Sequence, residues 1–481
     1  MRKFLYTTIL TSLVMLQSLA VSAVEEEKFI FTSVDKQETE AFRGELEVPE
    51  NRANPNSRMI PLRYVRFAAT TENAGPPIIY LSGGPGGSGI QTAKYRRYDM
   101  FMALRAYGDV IALDQRGSGA SDELPVCEPS QIEPAVTIVS DADYVELHRQ
   151  ALRECLEIWK SEDVDIKGYN TLESARDLDA LRQHLGAEEM VLWGISYGSH
   201  LAFAALNELS DKIDRVVLSS GEGLDQTIKM PARTDAYFDR LQQAVDSQPE
   251  AKAVYGDIKT LIKRVHSKLA AEPVLLHLAM PDGSVSDLLF QRHHMQTLAS
   301  YMVSDPTSAG QLLGMYHAMD NGITAPFEQF LGRAFAPGKS LSMRAMSAGM
   351  DIASGMTAGR KVKIAQQAKT ALLRDYLNFT YHFDGVAPEL DLGDGFRVGP
   401  YSDVPVLLFS GTLDGRTYIE SQHEAVAGLK NVTLVTVKNA GHNLYMSSPE
   451  VQDAINHFME GKAQPKTTIT IDLPNLASMK P

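Results

Sequence analysis

Residues 190–198 read Met190-Val191-Leu192-Trp193-Gly194-Ile195-Ser196-Tyr197-Gly198, and the helix-forming run Leu201-Ala202-Phe203-Ala204-Ala205-Leu206 follows. An apolar strand, a G-x-S-x-G turn and a helix in that order form a nucleophile elbow. A strand that turns sharply into a helix crowds its flanks, and residues without a Cβ fit there most easily. The turn lifts the Ser196 hydroxyl above the strand end. It also aims the Tyr197 backbone N–H, at the start of the helix, toward an oxyanion formed nearby. A Gly-rich turn whose Ser merely caps the helix is the competing reading.

Outward from the elbow, three other apolar runs end in chemically useful loops. Pro76-Pro77-Ile78-Ile79-Tyr80-Leu81 leads into Ser82-Gly83-Gly84-Pro85-Gly86-Gly87-Ser88-Gly89. So many glycines let backbone N–H groups approach a substrate oxygen. A phosphate-binding P-loop does not fit, because no Gly-Lys-Ser/Thr follows. A dinucleotide site fits poorly, because the stretch holds a Pro and no crossover to an acidic ribose ligand is evident. Val404-Pro405-Val406-Leu407-Leu408-Phe409-Ser410 leads to Asp414, and Val432-Thr433-Leu434-Val435-Thr436-Val437 leads to His442. The chain order is Ser196, Asp414, His442, each just beyond a strand. A serine hydroxyl becomes a good nucleophile when a base takes its proton, and imidazole titrates in the range that suits this task. A carboxylate then holds the imidazole in one tautomer. Glu222, beyond the strand Arg215-Val216-Val217-Leu218-Ser219-Ser220, is a rival for the acid. Asp414 is preferred, because its strand directly precedes the one that bears the His.

Three motifs in sequence, Gly83 to Gly89, Asp114-Gln115-Arg116-Gly117-Ser118-Gly119-Ala120-Ser121 and the elbow, resemble the proline iminopeptidase and tripeptidyl aminopeptidase group of α/β-hydrolases. The stretch from Asp403 to His442 is similar to the C-terminal part of the tripeptidyl aminopeptidase branch. The resemblance covers most of the chain outside roughly 226–395. It implies a mostly parallel sheet with helices on both faces, a triad of Ser196, Asp414 and His442, and an oxyanion hole formed by the N–H groups of Gly84 and Tyr197. Many relatives begin the oxyanion loop with His-Gly-Gly-Pro; Ser82 stands here in place of the His. Asp114 and Arg116 are expected to brace the loops around the site.

The interval from Ser196 to Asp414 is longer than the remaining strand–helix units require. The excess, 226–395, is expected to be an inserted helical cap, with helix-like apolar spacing at 235–246, 257–271, 293–303, 310–319 and 361–377. The hydrolase core is then 24–225 and 396–463, and 464–481 is an extension in which 467–471 alternates like an edge strand. Met343, Met346 and Met350 recur at helical spacing and are read as a packing stripe rather than a substrate-facing wall.

Residues 1–23 read as a secretory leader: Arg2 and Lys3 precede a mostly apolar run, and Val21-Ser22-Ala23 offers small residues for cleavage. An exported chain whose only cysteines are Cys127 and Cys155 is expected to join them. The formal net charge is −14, which disfavours nucleic acid and anionic membranes as partners. No metal or cofactor is required, and His293-His294 lacks the context of a zinc site. The expected function is an exported serine exopeptidase, periplasmic or secreted, that acts on peptides with a free N-terminus. Glu222 is the first candidate to hold that terminal ammonium. Asp351, which resembles an acidic position in relatives, is the second. A carboxylesterase with the same triad, and a non-catalytic binding protein on the same fold, are the alternatives.

Overall fold

The computed structural model describes residues 26–121, 124–377 and 379–477; the leader expected over 1–23 lies outside them. The apolar runs form the middle of a ten-stranded sheet. Its strands are β1 (Glu27–Thr32), β2 (Glu38–Pro49), β3 (Met59–Phe67), β4 (Ile78–Leu81), β5 (Val110–Leu113), β6 (Met190–Ser196), β7 (Ile213–Gly221), β8 (Val406–Gly411), β9 (Val432–Lys438) and β10 (Thr468–Thr470). They lie in the order β1-β2-β3-β5-β4-β6-β7-β8-β9-β10. The first three and β5 pair antiparallel, and every pair from β5–β4 to β9–β10 is parallel.

Strand composition follows from this placement. β4, β5 and β8 are buried at every position, as parallel strands covered on both faces must be. In β2, Leu46 and Val48 are buried while Glu45 and Glu47 face solvent. Neighbouring residues of a strand point to opposite faces. Leu192, Leu218 and Leu408 therefore pack under the helices Thr171–His184 and Tyr197–Leu209. Trp193, Val217 and Phe409 pack under Tyr98–Leu104 and Pro449–Met459. Burying one such side chain contributes about 1.5–3 kcal/mol. The alternating stretch at 467–471 is the edge strand β10, beside β9.

Between β7 and β8 the chain leaves the sheet and builds a cap with its own core, which includes Phe238, Leu241, Ile262, Leu298 and Leu313. Its helices include Pro231–Asp246, Ile258–Ala271, Arg292–Met302, Pro306–Asp320, Ala345–Ser354 and Ala358–Ala368. Asp257 caps the second of these by accepting from Thr260 N at 2.7 Å. Two features differ from the expected pattern. Residues Val274–Ala279 and Val285–Phe290, between the stretches expected to be helical, form an antiparallel hairpin within the cap, with Gly283 supplying the positive φ of 83° at its turn. The helix expected over 361–377 ends at Ala368, because the Leu372 N–H is bonded to Asp235 Oδ1 at 3.0 Å and Arg374 adopts φ 53°.

The chain ahead of the elbow also reaches the cap. Val126–Cys127 pairs with Met343–Arg344, and a disulfide joins Cys127 to Cys155 on the helix Asp141–Ser161. Met346 and Met350 pack there against Cys155, Trp159 and Tyr197, which is the packing role expected of the methionine stripe.

Candidate active site

Ser196 ends β6 with φ 55° and ψ −126°, a strained conformation for a residue with a Cβ. Its surroundings hold it there. A Cβ on Gly198 would lie 2.0 Å from Leu81 O, so only glycine lets the helix start this close to β4. Tyr445 Oη donates to Gly194 O at 2.6 Å, and Ser199 Oγ donates to Ser196 O at 2.5 Å.

The Gly-rich loop lies against the serine. A Cβ on Gly83 would stand 3.1 Å from Ser196 Cβ. Gln115 Nε2 donates to Ser82 O at 3.1 Å. Asp114 receives Ser88 Oγ at 2.6 Å, Ile90 N at 3.1 Å and Ala120 N at 2.8 Å. Arg116 is fully buried and pairs with Asp177 at 2.7 Å through both Nε and Nη2. It also donates to Glu50 O and Gly168 O, each at 2.6 Å. Asp114 and Arg116 thus brace the loops, as the sequence suggests. Tyr197 N–H, at the first residue of its helix, has no partner within that helix.

Asp414 and His442 meet beyond β8 and β9. His442 Nδ1 lies 2.9 Å from Asp414 Oδ2. Thr417 Oγ1 donates to the same oxygen at 2.6 Å, and the N–H groups of Arg416 and Thr417 reach Oδ1 at 2.8 Å. Burial alone would push the Asp414 carboxyl up; the His442 charge and these hydrogen bonds outweigh it and hold it below the usual range. The bond to Nδ1 leaves Nε2 as the imidazole's other polar atom. The loop is fixed at its backbone: Ser220 Oγ donates to His442 O, and His442 N donates to Ser304 O, each at 2.7 Å. Gly415 N donates to Val303 O at 3.0 Å.

Two cavities flank Ser196 and share it with Gly84. The larger, about 660 Å³, is also lined by Gly83, His442, Asn443, Arg96 and Arg97. The smaller, about 210 Å³, is lined by Glu222, Asp351, Lys229, Arg416, Tyr376 and Phe379, mostly from the cap. Glu222 is not joined to His442. Its carboxylate instead receives a hydrogen bond from Lys229 Nζ, which also donates to Gln226 O at 2.9 Å. Burial draws Lys229 down and Glu222 opposes this. Asp351 receives Thr380 Oγ1 at 3.1 Å. Burial, with the Glu222 charge adding to it, pushes Asp351 up to about 7. Ser196 and Gly84 thus line one cavity with His442 and the other with Glu222 and Asp351, while Asp414 reaches the site through His442 and Tyr197 directly follows Ser196. Sequence reasoning missed Ser220, Lys229 and Arg97. Thr417 had a signal, being a hydroxyl three residues beyond Asp414.

Among the described residues no helix is long and apolar enough to cross a membrane. Residues 76–449 match the family model described as alpha/beta hydrolase fold. Tripeptidyl aminopeptidase of Streptomyces lividans is 31% identical over 190 residues, covering 37% of this chain and 34% of that protein. Serine protease Hip1 of Mycobacterium tuberculosis (strain ATCC 25618 / H37Rv) is 27% identical over 184 residues, covering 37% of this chain and 35% of that protein. The match thus spans about a third of the length of these relatives. With most of its length inside the family match, the chain belongs to the alpha/beta hydrolase fold family.

Proposed function

We propose that the chain is an exported serine exopeptidase that cleaves at the N-termini of peptides. Ser196 Oγ adds to the scissile carbonyl while His442 takes its proton. Asp414 keeps the imidazole in the productive tautomer and stabilises the imidazolium. The N–H groups of Gly84 and Tyr197 receive the oxyanion, each worth about 3–4 kcal/mol in such sites. The C–N bond then breaks, the leaving amine takes the proton from His442, and water releases the acyl group by the same steps in reverse. Similarity to a tripeptidyl aminopeptidase and a serine protease supports a peptide substrate. The disulfide and the leader-like segment at 1–23 support export.

The observation that carries the exopeptidase reading is the pair Glu222 and Asp351 in the small cap-walled cavity that opens on Ser196. A carboxylate at a fixed distance from the nucleophile selects a free α-ammonium and stops the chain there. Lys229 already matches Glu222, so Asp351 is the principal partner of the ammonium. With Asp351 at about 7 and an α-amine near 7.7–8.0, binding of free-amine substrates strengthens as pH rises through about 7 and weakens above about 8.

The test compares peptidyl-anilides with free and acetylated N-termini. The free form is expected to be cut at least tenfold better. Asp351→Asn is expected to remove that preference and the acidic limb near pH 7, while a small neutral ester is hydrolysed much as before. Acetylated peptides cut as well as free ones would overturn the exopeptidase reading and favour an esterase or an endopeptidase.

A further inference from the structure

Arg97 is a cation in an unusual setting. It is only 5% exposed, and a buried charge is ordinarily paired with an opposite one. Arg97 has no carboxylate partner among the described residues. Its guanidinium donates to Tyr80 Oη and, at 3.2 Å, to Asn443 Oδ1. It lies 5.5 Å from the ring centroid of Tyr80 and 5.3 Å from that of Tyr445. These partners are neutral, so the positive charge is left on the wall of the larger cavity. Arg96, exposed and likewise without an ion pair among the described residues, lines the same cavity. No Asp or Glu lines it.

The chemistry says which part of a substrate enters there. A leaving amine must take its proton from His442, so it departs on the side where His442 lies. His442 lines the larger cavity and not the smaller. The acyl portion therefore occupies the small cavity with Glu222 and Asp351, and the leaving fragment occupies the larger one beside Arg97 and Arg96. We propose that Arg97 and Arg96 form a carboxylate-binding subsite for the leaving fragment, so that the preferred substrates carry a carboxylate within a residue or two beyond the scissile bond. Either the C-terminal α-carboxylate of a short peptide or an acidic side chain of a longer one supplies that group. The inference rests on the peptidase reading above and extends it from the N-terminal side of the cut to the C-terminal side.

The experiment uses one cleavable acyl portion joined to three leaving fragments: Ala with a free carboxylate, Ala-amide and Asp-amide. In the wild type, at least one carboxylate-bearing fragment is expected to exceed Ala-amide in kcat/KM by about tenfold. The gain falls mainly on KM, since the carboxylate is held equally before and during the reaction. A preference confined to free Ala identifies the peptide C-terminus as the source; one that includes Asp-amide identifies acidic side chains as well. Arg96→Gln and Arg97→Gln are each expected to bring the ratio toward one. Because the ratio is taken within each variant, a general loss of activity from disturbing Asn443 cancels. Should Arg97→Gln fail to fold, Arg96→Gln and Arg97→Lys carry the test; Arg97→Lys keeps the charge and is expected to retain part of the preference. A wild-type ratio near one, or a ratio unchanged in every folded variant, overturns the subsite. If an ester is hydrolysed and none of the three peptides is cut, the peptidase reading itself fails.

Discussion

One buried site in the sheet body and one in the cap enclose their titratable groups in opposite ways. In the body, the buried Arg116 meets Asp177, whose other contact is Arg52 at 2.7 Å, so full charges lie side by side. In the cap, His293 and His294 are buried with their rings tilted against each other at 4.1 Å between centroids, and His293 stacks on Tyr144 at 4.2 Å. Their nearest carboxylates are Asp141 at 3.9 Å and Glu133 at 3.5 Å. Burial pushes both imidazoles down to about 3, with neighbouring histidines adding to the shift. The Arg116 site in the body therefore holds charges that match, and the His293–His294 site in the cap holds groups that must stay neutral. The proposed triad sits on the sheet body, which also lines the larger cavity with Arg96 and Arg97, whereas the smaller cavity is walled mostly by the cap.

The largest expected effect separates chemistry from packing. Ser196→Ala should lower turnover by roughly four to six orders of magnitude with little change in stability, because triad members act as one unit. More than a tenth of wild-type activity remaining would break the assignment of the body as the chemical half. Next comes Arg116→Gln. Removing one partner of a buried ion pair costs about 3–5 kcal/mol. Arg52 remains on Asp177, so the low end is expected, read as a drop in urea midpoint relative to the wild type that is of the same size at pH 5 and pH 7.

The smallest effect sharpens the contrast through acid. A histidine near 3 when folded and 6.5 when unfolded binds its proton mainly in the unfolded chain between those values. Its contribution is thus fully present above about 6.5 and is lost as pH falls. That amounts to about 2 kcal/mol per histidine at pH 5. The two tryptophans report the two regions: Trp159 packs beside the cap with Met346 and Met350, and Trp193 lies within the sheet body. Acid should disturb Trp159 fluorescence first in single-tryptophan variants, and His293→Gln should narrow the gap. Both signals failing at one pH would mean that the cap and the body unfold as one unit.

The same division governs what could be read from the sequence. The placement of Ser196, Asp414 and His442 was legible because each follows an apolar run that forms a strand of the sheet, and strand ends on one sheet edge converge. The Gly-rich loop was legible for the same reason. The cap was legible as helical spacing but not in its contacts. Nothing local to Leu372 announces that Asp235 takes its N–H and ends a helix early. Nothing in the spacing of Glu222 and Lys229 reveals that they pair, and that pairing is why Asp351 is the proposed partner of the ammonium. The hairpin at 274–290 was hidden because short alternating stretches resemble polar helix faces until they find a partner strand.

One pair of hydrogen bonds limits how this cap can diverge. The carbonyls of Val303 and Ser304, at the end of a cap helix, receive the N–H groups of Gly415 and His442. The loops that carry Asp414 and His442 are thus both moored to the insertion. A descendant lineage, or an engineer, could remodel the rest of the cap to admit other substrates while the Asp414–His442 pair stayed in place. Exchanging the whole insertion for that of another hydrolase would cut both moorings at once, so a graft that keeps residues 303–305 should succeed where a complete swap does not.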